Sequence, residues 1–393
     1  MLQVLFYCES SIFGGHEKMA VEAHGAVQRW SNSVRIEGLV NRQSQLLIRA
    51  LENAGLKYST LVGEREFSLW RHPLRAFQTI RRNTAIMCKL RPDLVVVVQG
   101  GILLSLGGIL AARWAGLRCC SYIPMAHSYS EIHPSRLPFL ADAVWRLLYQ
   151  FNRQYITIDS EQASRLRREN PRSVVEIVEN YVPAGEPLAA DRPAAKQALG
   201  IPPGCKVLSV IGRIEFPQKC QDWVVHSLKD DSFMRDKMVL FVGDGSDGPA
   251  LRAMVSSVPG DHFRAVGWKQ DLRVVYAATD VLLIPSKVEG VPLVMLEALG
   301  YGIPVVGTDR DGMRDWLPRE WRFSWNHVEG LKNAVKFGLA GEPHNVWESL
   351  RMRLSRVHDR RRFGREFENA LMRFGSHEDA ILVDNRHHRS TAN

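Results

Sequence analysis

The chain has 393 residues, 45% hydrophobic and 24% charged, with 30 glycines and 19 prolines. That is an ordinary globular composition, long enough for two or three domains with cores of their own and no need of covalent staples. A formal net charge of +9 asks for an explanation, but no zinc-finger spacing or aromatic RNA-binding motif accompanies it, so nucleic acid is not the expected partner. Cys8, Cys88, Cys119, Cys120, Cys205 and Cys220 form no C-x-x-C and no metal spacing, and read as reduced cytosolic thiols.

In chain order, MLQVLFYCES lacks a basic leader and a long apolar run, which argues against a signal peptide and predicts a first strand. CESSIFGGHEKMAVEAH follows: Gly14-Gly15 permits tight backbone approach and a helix begins near His16. The free amides of such a helix start attract anions and sugar oxygens; a plain tight turn is the alternative. After the strand YSTLVG, residues 65–91 hold seven Lys/Arg and one acid. Trp70, Leu74, Phe77 and Ile80 share one helical face there, with Arg71, Arg75 and Arg82 on another. That pattern suits an anionic membrane surface, though an ordinary surface helix laying its apolar stripe on the core is the somewhat favoured reading.

Residues 94–112, LVVVVQGGILLSLGGILAA, carry no charge over 19 positions, enough to span a bilayer by length. The β-branched VVVV and the break at Gln99-Gly100-Gly101 predict a strand, a loop and a buried helix instead. CCSYIP and QYITID are further strands, and His127 in YIPMAHSYS follows the first of them, where it either faces a cleft or is structural.

The Pro/Ala-rich VPAGEPLAADRPAAKQALGIPPG separates two halves. The expected organisation is a first domain at 1–183, a linker at 184–204, a second domain at 205–375 whose last helix returns to the first domain, and a polar tail at 376–393. In the second half KVLSVIG, MVLFVGD, HFRAVGW, DVLLIPS and IPVVGT are strands. Continuous Val/Ile/Leu runs alternating with helices predict parallel sheets covered on both faces. The fold class is therefore α/β: two Rossmann-like, doubly wound domains facing a cleft, with ligands beyond the carboxyl ends of the strands.

Chemistry concentrates in the strand-end loops of the second half. In VIGRIEFPQKCQD a strand ends at Gly212, and Arg213 and Lys219 follow; two cations there suit a pyrophosphate, or are merely solvated. In SKVEGVPLVMLEALGYGIPVVGT, Pro292 opens a helix. Glu289 falls in the loop before it and Glu297 in its second turn, in a segment otherwise nearly free of charge. Unpaired buried carboxylates are costly, so each has either a structural partner or a ligand. VGDGSDGPA spells G-x-G-x-x-G with Gly243, Gly245 and Gly248, and Asp261 follows at loosely the distance of a ribose carboxylate. That loop is a dinucleotide site, a turn, or the phosphate-side loop of another α/β enzyme. No GxxxxGK[ST], G-x-S-x-G or HExxH occurs.

Together, GRIEFPQK, LFVGDG, FRAVGW, ATDVLLIPSKVEGVPLVMLEALGYGIPVVGT and DRDG, with looser FGGHEK, TIDSEQA and VENYV in the first half, resemble the retaining GT-B glycosyltransferases, in particular the group 4 family of bacterial sugar transferases. The E-x7-E signature is met by Glu289 and Glu297. The resemblance implies that Arg213 and Lys219, beside Gly212, hold the donor diphosphate without a metal. It implies that Glu297 binds the ribose hydroxyls and that Glu289 faces the donor sugar. Gly267-Trp268 would meet the base, and the main chain of Gly290, Val291, Pro292 and Leu293 the sugar or phosphate. Gly14 and Gly15 would lie near the phosphates and acceptor, and His127 near the transferred sugar. It also implies no metal and no cofactor beyond a UDP- or GDP-linked sugar, and a glycan or lipid-linked acceptor in polysaccharide biosynthesis. The location implied is cytoplasmic, with peripheral contact at the inner membrane face. Cys220 departs from the glycine that commonly follows the lysine. Competing readings are a glycosidase using the paired glutamates, an NAD-dependent oxidoreductase using the Gly243 loop, and a non-catalytic sugar-binding protein.

Overall fold

A computed structural model describes residues 1–61, 72–132, 137–186, 188, 191–229, 232–341 and 344–376. In chain order the first elements are β1 (Leu2–Cys8), α1 (Gly15–Trp30), β2 (Val34–Asn41), α2 (Gln45–Asn53), β3 (Tyr58–Leu61), α3 (Pro73–Leu90), β4 (Leu94–Val98) and α4 (Leu106–Trp114). Then come β5 (Cys119–Tyr122), α5 (Tyr129–Ile132), α6 (Pro138–Tyr149), β6 (Gln154–Thr157), α7 (Ser160–Glu169) and β7 (Val174–Ile177). The second half contains α8 (Arg192–Ala198), β8 (Lys206–Ile211), α9 (Phe216–Lys219), α10 (Gln221–Leu228), β9 (Lys237–Val242), α11 (Gly248–Ser257), β10 (Phe263–Gly267) and α12 (Arg273–Ala278). It continues with β11 (Val281–Ile284), α13 (Leu293–Gly300), β12 (Val305–Thr308), α14 (Asp311–Trp316), β13 (Arg322–Phe323), α15 (Val328–Ala340), α16 (His344–Val357) and α17 (Arg360–Gly375).

The chain divides into two compact units. One comprises 1–129, 135–181 and 359–393, and the other 130–134 and 182–358. The first contains a seven-stranded sheet in the order β3-β2-β1-β4-β5-β6-β7, the second a six-stranded sheet in the order β10-β9-β8-β11-β12-β13. All the pairings are parallel. The two α/β sheets are doubly wound, as the alternation of elements predicts.

In the first unit all five residues of β4 are buried, which explains why its sequence is a pure Leu/Val run. Residues 94–112 divide as expected into this strand, a turn and the buried helix α4. Among the described residues no helix is long and apolar enough to cross a membrane. Right-handed crossovers place α3, α4, α6 and α7 on one face of the sheet and α1 and α2 on the other. The last helix, α17, joins α1 on that second face and buries Phe363, Phe367, Leu371 and Phe374. Asp359 caps it, accepting from the Arg362 amide at 2.8 Å. Residues 359–375 therefore belong to the first unit, although they follow the second in sequence.

The stretch 184–204 is more than a connector. It carries α8, and Leu188, Ala195 and Ile201 are buried in the second unit's core. Lys196 Nζ reaches Asp280 Oδ2 at 2.9 Å. A proline at the start followed by Ala, Lys and Gln forms a helix readily, which outweighs the loop-like composition. The tail after residue 376 lies outside the described residues, as do Trp70 and Arg71.

Candidate active site

In a doubly wound sheet ligands collect where the strand order reverses. In the second unit that point lies between β8 and β11, whose crossovers run in opposite directions. The loops leaving these two strands carry Gly212, Arg213 and Lys219 on one side and Glu289, Gly290, Val291 and Pro292 on the other. Sequence position alone did not pair these loops; strand order does.

Lys219 ends the short helix α9, and its Nζ contacts Glu289 Oε1. The lysine is partly exposed and Glu289 is buried. Arg213 is more open and pairs with Glu215 at 3.1 Å. Its carbonyl accepts from Gln221 Nε2 at 2.8 Å, which fixes the loop. A second strut joins the two loops: Lys287 N donates to Gln218 O at 2.7 Å, and Gln218 Nε2 to Val288 O at 3.2 Å. Cys220 follows the lysine with φ of 55°. This left-handed geometry is what glycine adopts freely, and here Cys220 adopts it with a side chain.

The Glu289 loop is clamped from behind by the DRDG segment after β12. Asp311 Oδ2 accepts from the Glu289 amide at 3.0 Å, and the Gly312 amide donates to Gly290 O at 3.0 Å. A Cβ on Gly312 would lie 2.6 Å from that carbonyl oxygen, so only glycine allows the approach. Asp311 is itself buried with φ of 47°. No local spacing gives Asp311 a role, because its partner follows another strand.

Glu297, one turn into α13, also has a protein partner: Tyr276 of α12 donates its hydroxyl to Glu297 Oε2 at 2.7 Å. Burial, reinforced by the Glu297 charge, holds the Tyr276 phenol well above its ordinary pKa, so it stays a donor. Tyr301 packs on the Tyr276 ring at 5.1 Å. Tyr276 was not foreseen; nothing in local spacing links it to position 297. Gly267 has φ of 72°, and Trp268 beside it is 55% exposed, presenting an open aromatic face at the carboxyl end of β10.

The glycines of the loop after β9 have a packing role. A Cβ on Gly243 would sit 1.9 Å from Gly212 O, and one on Gly245 2.3 Å from Ile214 O. These glycines exist because the loop lies against the backbone of the Arg213 loop. Asp247 Oδ2 takes the Phe216 amide at 2.8 Å and ties the two together. Asp261 precedes β10, so it lies at the amino edge of the sheet, opposite the Gly243 loop, and pairs with Arg264.

In the first unit the strand order reverses between β1 and β4. Gly14 and Gly15 leave β1, and Gln99-Gly100-Gly101 leave β4. Glu17 turns back to accept the Gly14 amide at 2.8 Å and holds His16 Nε2 at 2.8 Å. The His16 ring fills the place a Gly100 side chain would take, with Cε1 2.7 Å from an ideal Cβ. Burial raises the Glu17 pKa, but the His16 ring and the Gly14 amide outweigh it and the net shift is down. His127, after β5, is buried, and its carbonyl accepts from Trp145 Nε1 at 3.0 Å and Tyr149 Oη at 3.2 Å.

Residues 205–340 match the family model described as glycosyl transferases group 1. The chain is 31% identical over 245 residues to a 2-deoxystreptamine N-acetyl-D-glucosaminyltransferase of Streptomyces fradiae, covering 57% of this chain and 56% of the relative. It is 24% identical over 244 residues to the UDP-Gal:alpha-D-GlcNAc-diphosphoundecaprenol alpha-1,3-galactosyltransferase of Escherichia coli, covering 58% and 62%. It thus matches little more than half the length of these curated relatives. Among solved structures, Anabaena HepE in complex with UDP and glucose aligns with a TM-score of 0.74 at 15% identity, over 94% of this chain and 99% of that one. The lipopolysaccharide outer core galactosyltransferase WaaB aligns at 0.65 and 17%, over 95% and 99%. The fold is that of the GT-B glycosyltransferases.

Proposed function

From a chain with the GT-B fold, whose residues 205–340 match the family model of group 1 glycosyl transferases, we propose a retaining glycosyltransferase. It moves a sugar from a nucleoside diphosphate to a hydroxyl of a glycan or lipid-linked glycan. The observation that carries this reading is the meeting of the Arg213–Lys219 loop and the Glu289 loop at the strand-order reversal of the second unit.

In this reading Arg213 and Lys219 bind the diphosphate and stabilise the charge that grows on it as the anomeric C–O bond breaks. The amides that open α13, after Gly290, Val291 and Pro292, add fixed dipoles. Glu289 faces the sugar, whose oxocarbenium-like character a neighbouring carboxylate favours, and it is not a nucleophile. The acceptor oxygen bonds to the anomeric carbon on the face the phosphate leaves, and the hydroxyl proton passes to the departing phosphate. Glu297 takes the ribose hydroxyls, and Trp268 with Gly267 meets the base. Gly14, Gly15 and His127 serve the acceptor and the transferred sugar. No metal is required, because the two cations neutralise the leaving group. The Escherichia coli relative's name specifies a diphosphoundecaprenol-linked acceptor, which favours a lipid-linked glycan and peripheral contact with an anionic membrane at its cytoplasmic face.

A thermal-shift panel with UDP, GDP, ADP and NAD, in chelator, tests the donor site. Ligand at ~100 times its dissociation constant adds about 2.7 kcal/mol. Stabilisation by UDP or GDP, lost in Arg213→Ala and Lys219→Ala, is expected. Stabilisation by NAD in place of the nucleoside diphosphates overturns the reading. Glu289→Ala is expected to abolish transfer while changing nucleotide affinity less than about threefold; unchanged transfer removes Glu289 from the chemistry.

A further inference from the structure

Helices that cover one face of a sheet turn apolar residues inward and polar residues to water. In the first unit α3, α4 and α6 share a face of the sheet, and their outer sides break that rule. Leu137, Leu140, Val144, Leu147 and Phe151 recur every three or four residues along α6 and its flanks. All five are exposed, with Leu137, Leu140 and Leu147 at 60–63% and the neighbouring Phe139 at 88%. The inward stripe of the same helix, Trp145, Leu148 and Tyr149, is buried, so the outer leucines are not displaced core residues.

The apolar surface continues across the layer. Arg113 Nη1 donates to Phe151 O at 2.9 Å and joins the end of α4 to the end of α6. The exposed Trp114 beside Arg113 lies 5.5 Å from the ring of Phe77 on α3. On α3, Ile80 is buried in the core, while Phe77 and Leu74 face water, Leu74 at 80%. The apolar face read from sequence is thus split between core and surface.

Charge tells what covers this surface. Over its 18 residues α3 carries Arg75, Arg81, Arg82 and Lys89 and no acid, and all four are exposed. Arg81 follows Phe77 by one turn and Arg113 adjoins Trp114. On α6, Arg146 is paired with Glu169 at 3.3 Å, and Asp142 is half-buried. Among the described residues no carboxylate pairs with these α3 and α4 arginines, and large aliphatic and aromatic side chains beside such arginines are the composition of an interfacial surface. A second copy of this chain would set α3 against another helix of the same sign.

We infer that the outer face of α3, α4 and α6 docks on an anionic lipid leaflet. Leu140, Leu147 and Phe139 enter the headgroup–acyl boundary, and Arg75, Arg81, Arg82 and Arg113 meet lipid phosphates. The inference rests on the peripheral contact proposed above and is independent of the sugar chemistry.

The full chain is sedimented with phosphatidylcholine vesicles and with vesicles mixing phosphatidylcholine and phosphatidylglycerol. Binding to the mixed vesicles is expected, reduced about tenfold in Leu140→Gln/Leu147→Gln and again in Arg81→Glu/Arg82→Glu. These residues are exposed, so melting temperature and nucleotide binding are expected to be unchanged, and a loss of vesicle binding with nucleotide binding intact is read as docking alone. No binding by the wild type, equal binding by the variants, or equal binding to the neutral vesicles overturns the inference. So does a dimer in gel filtration that Leu140→Gln/Leu147→Gln turns into a monomer, which assigns the face to a second copy.

Discussion

At the scale of single residues, each carboxylate in the E-x7-E signature has a protein partner: Glu289 has Lys219 and Glu297 has Tyr276. A partner orients a binding group without replacing it, and Tyr276 separates the two roles. Tyr276→Phe removes one hydrogen bond to a carboxylate, worth about 1.5–3 kcal/mol in full, and with it one constraint on how the Glu297 side chain is aimed. The expected result is UDP or GDP affinity lower by about tenfold, with inorganic pyrophosphate affinity unchanged, by calorimetry. Equal loss for both ligands would mean that Tyr276 shapes the whole site and does not aim Glu297. A second residue-scale effect concerns pH. Burial lifts the Glu9 carboxyl to about 7 and depresses the His24 ring to about 4. Glu9 holds its proton longer in the folded state, so its contribution to stability falls as pH rises from about 4.5 through 7. His24 resists protonation when folded, so its contribution is present above about 6.5 and is lost as pH falls toward 4. Between pH 4.5 and 6.5 the two slopes oppose each other. Glu9→Gln leaves the His24 slope uncompensated and is expected to lose about 2 kcal/mol relative to wild type on going from pH 6.5 to 4.5 in urea titrations. A pH-independent difference would show that Glu9 titrates normally.

At the scale of elements, what the sequence disclosed follows burial. β4 and β11 are continuous apolar runs, and β1, β8 and β9 nearly so, because both faces are covered, and they were legible. β2 carries Arg35, Glu37 and Gly38, and β7 is an edge strand with Ile177 exposed; both lack the run and were not foreseen. Asp311 and Tyr276 act across strands, so no local spacing discloses them, whereas Arg213, Lys219, Glu289 and Glu297 sit in strand-end segments that the pattern itself places. The Gly243 loop is the instructive confusion, since its glycines match a phosphate cradle but answer to a neighbouring loop. Gly243 has φ of 142° and no room beside Gly212 O, whereas Gly55 has φ of 63° and open space around it. Gly243→Ala is therefore expected to destabilise by about 2–4 kcal/mol, against about 1 kcal/mol for Gly55→Ala, by urea denaturation. Similar losses at the two positions would mean that the loop yields and the packing account is wrong.

At the scale of the whole molecule, the first unit is discontinuous and the second nearly is not. Apart from 130–134, the second unit is one segment, 182–358, with its own sheet and a core reaching from Val182 to Val357. The first unit needs α17, which buries Phe363, Phe367, Leu371 and Phe374. Four such side chains at about 1.5–3 kcal/mol each approach the 5–15 kcal/mol of an ordinary domain's stability. A chain ending at 358 is accordingly expected to leave the first unit unfolded and prone to aggregate. The segment 182–358 expressed by itself is expected to fold cooperatively. Because Arg213, Lys219, Tyr276, Glu289 and Glu297 all lie within it, it is also expected to bind UDP or GDP, read as a thermal shift lost in Lys219→Ala. A folded fragment that binds no nucleoside diphosphate would place essential donor contacts in the first unit, and the strand-order reversal of the second unit would no longer suffice as the donor site. Binding without transfer assigns the donor to one unit and leaves acceptor chemistry to the loops of Gly14, Gly15 and His127.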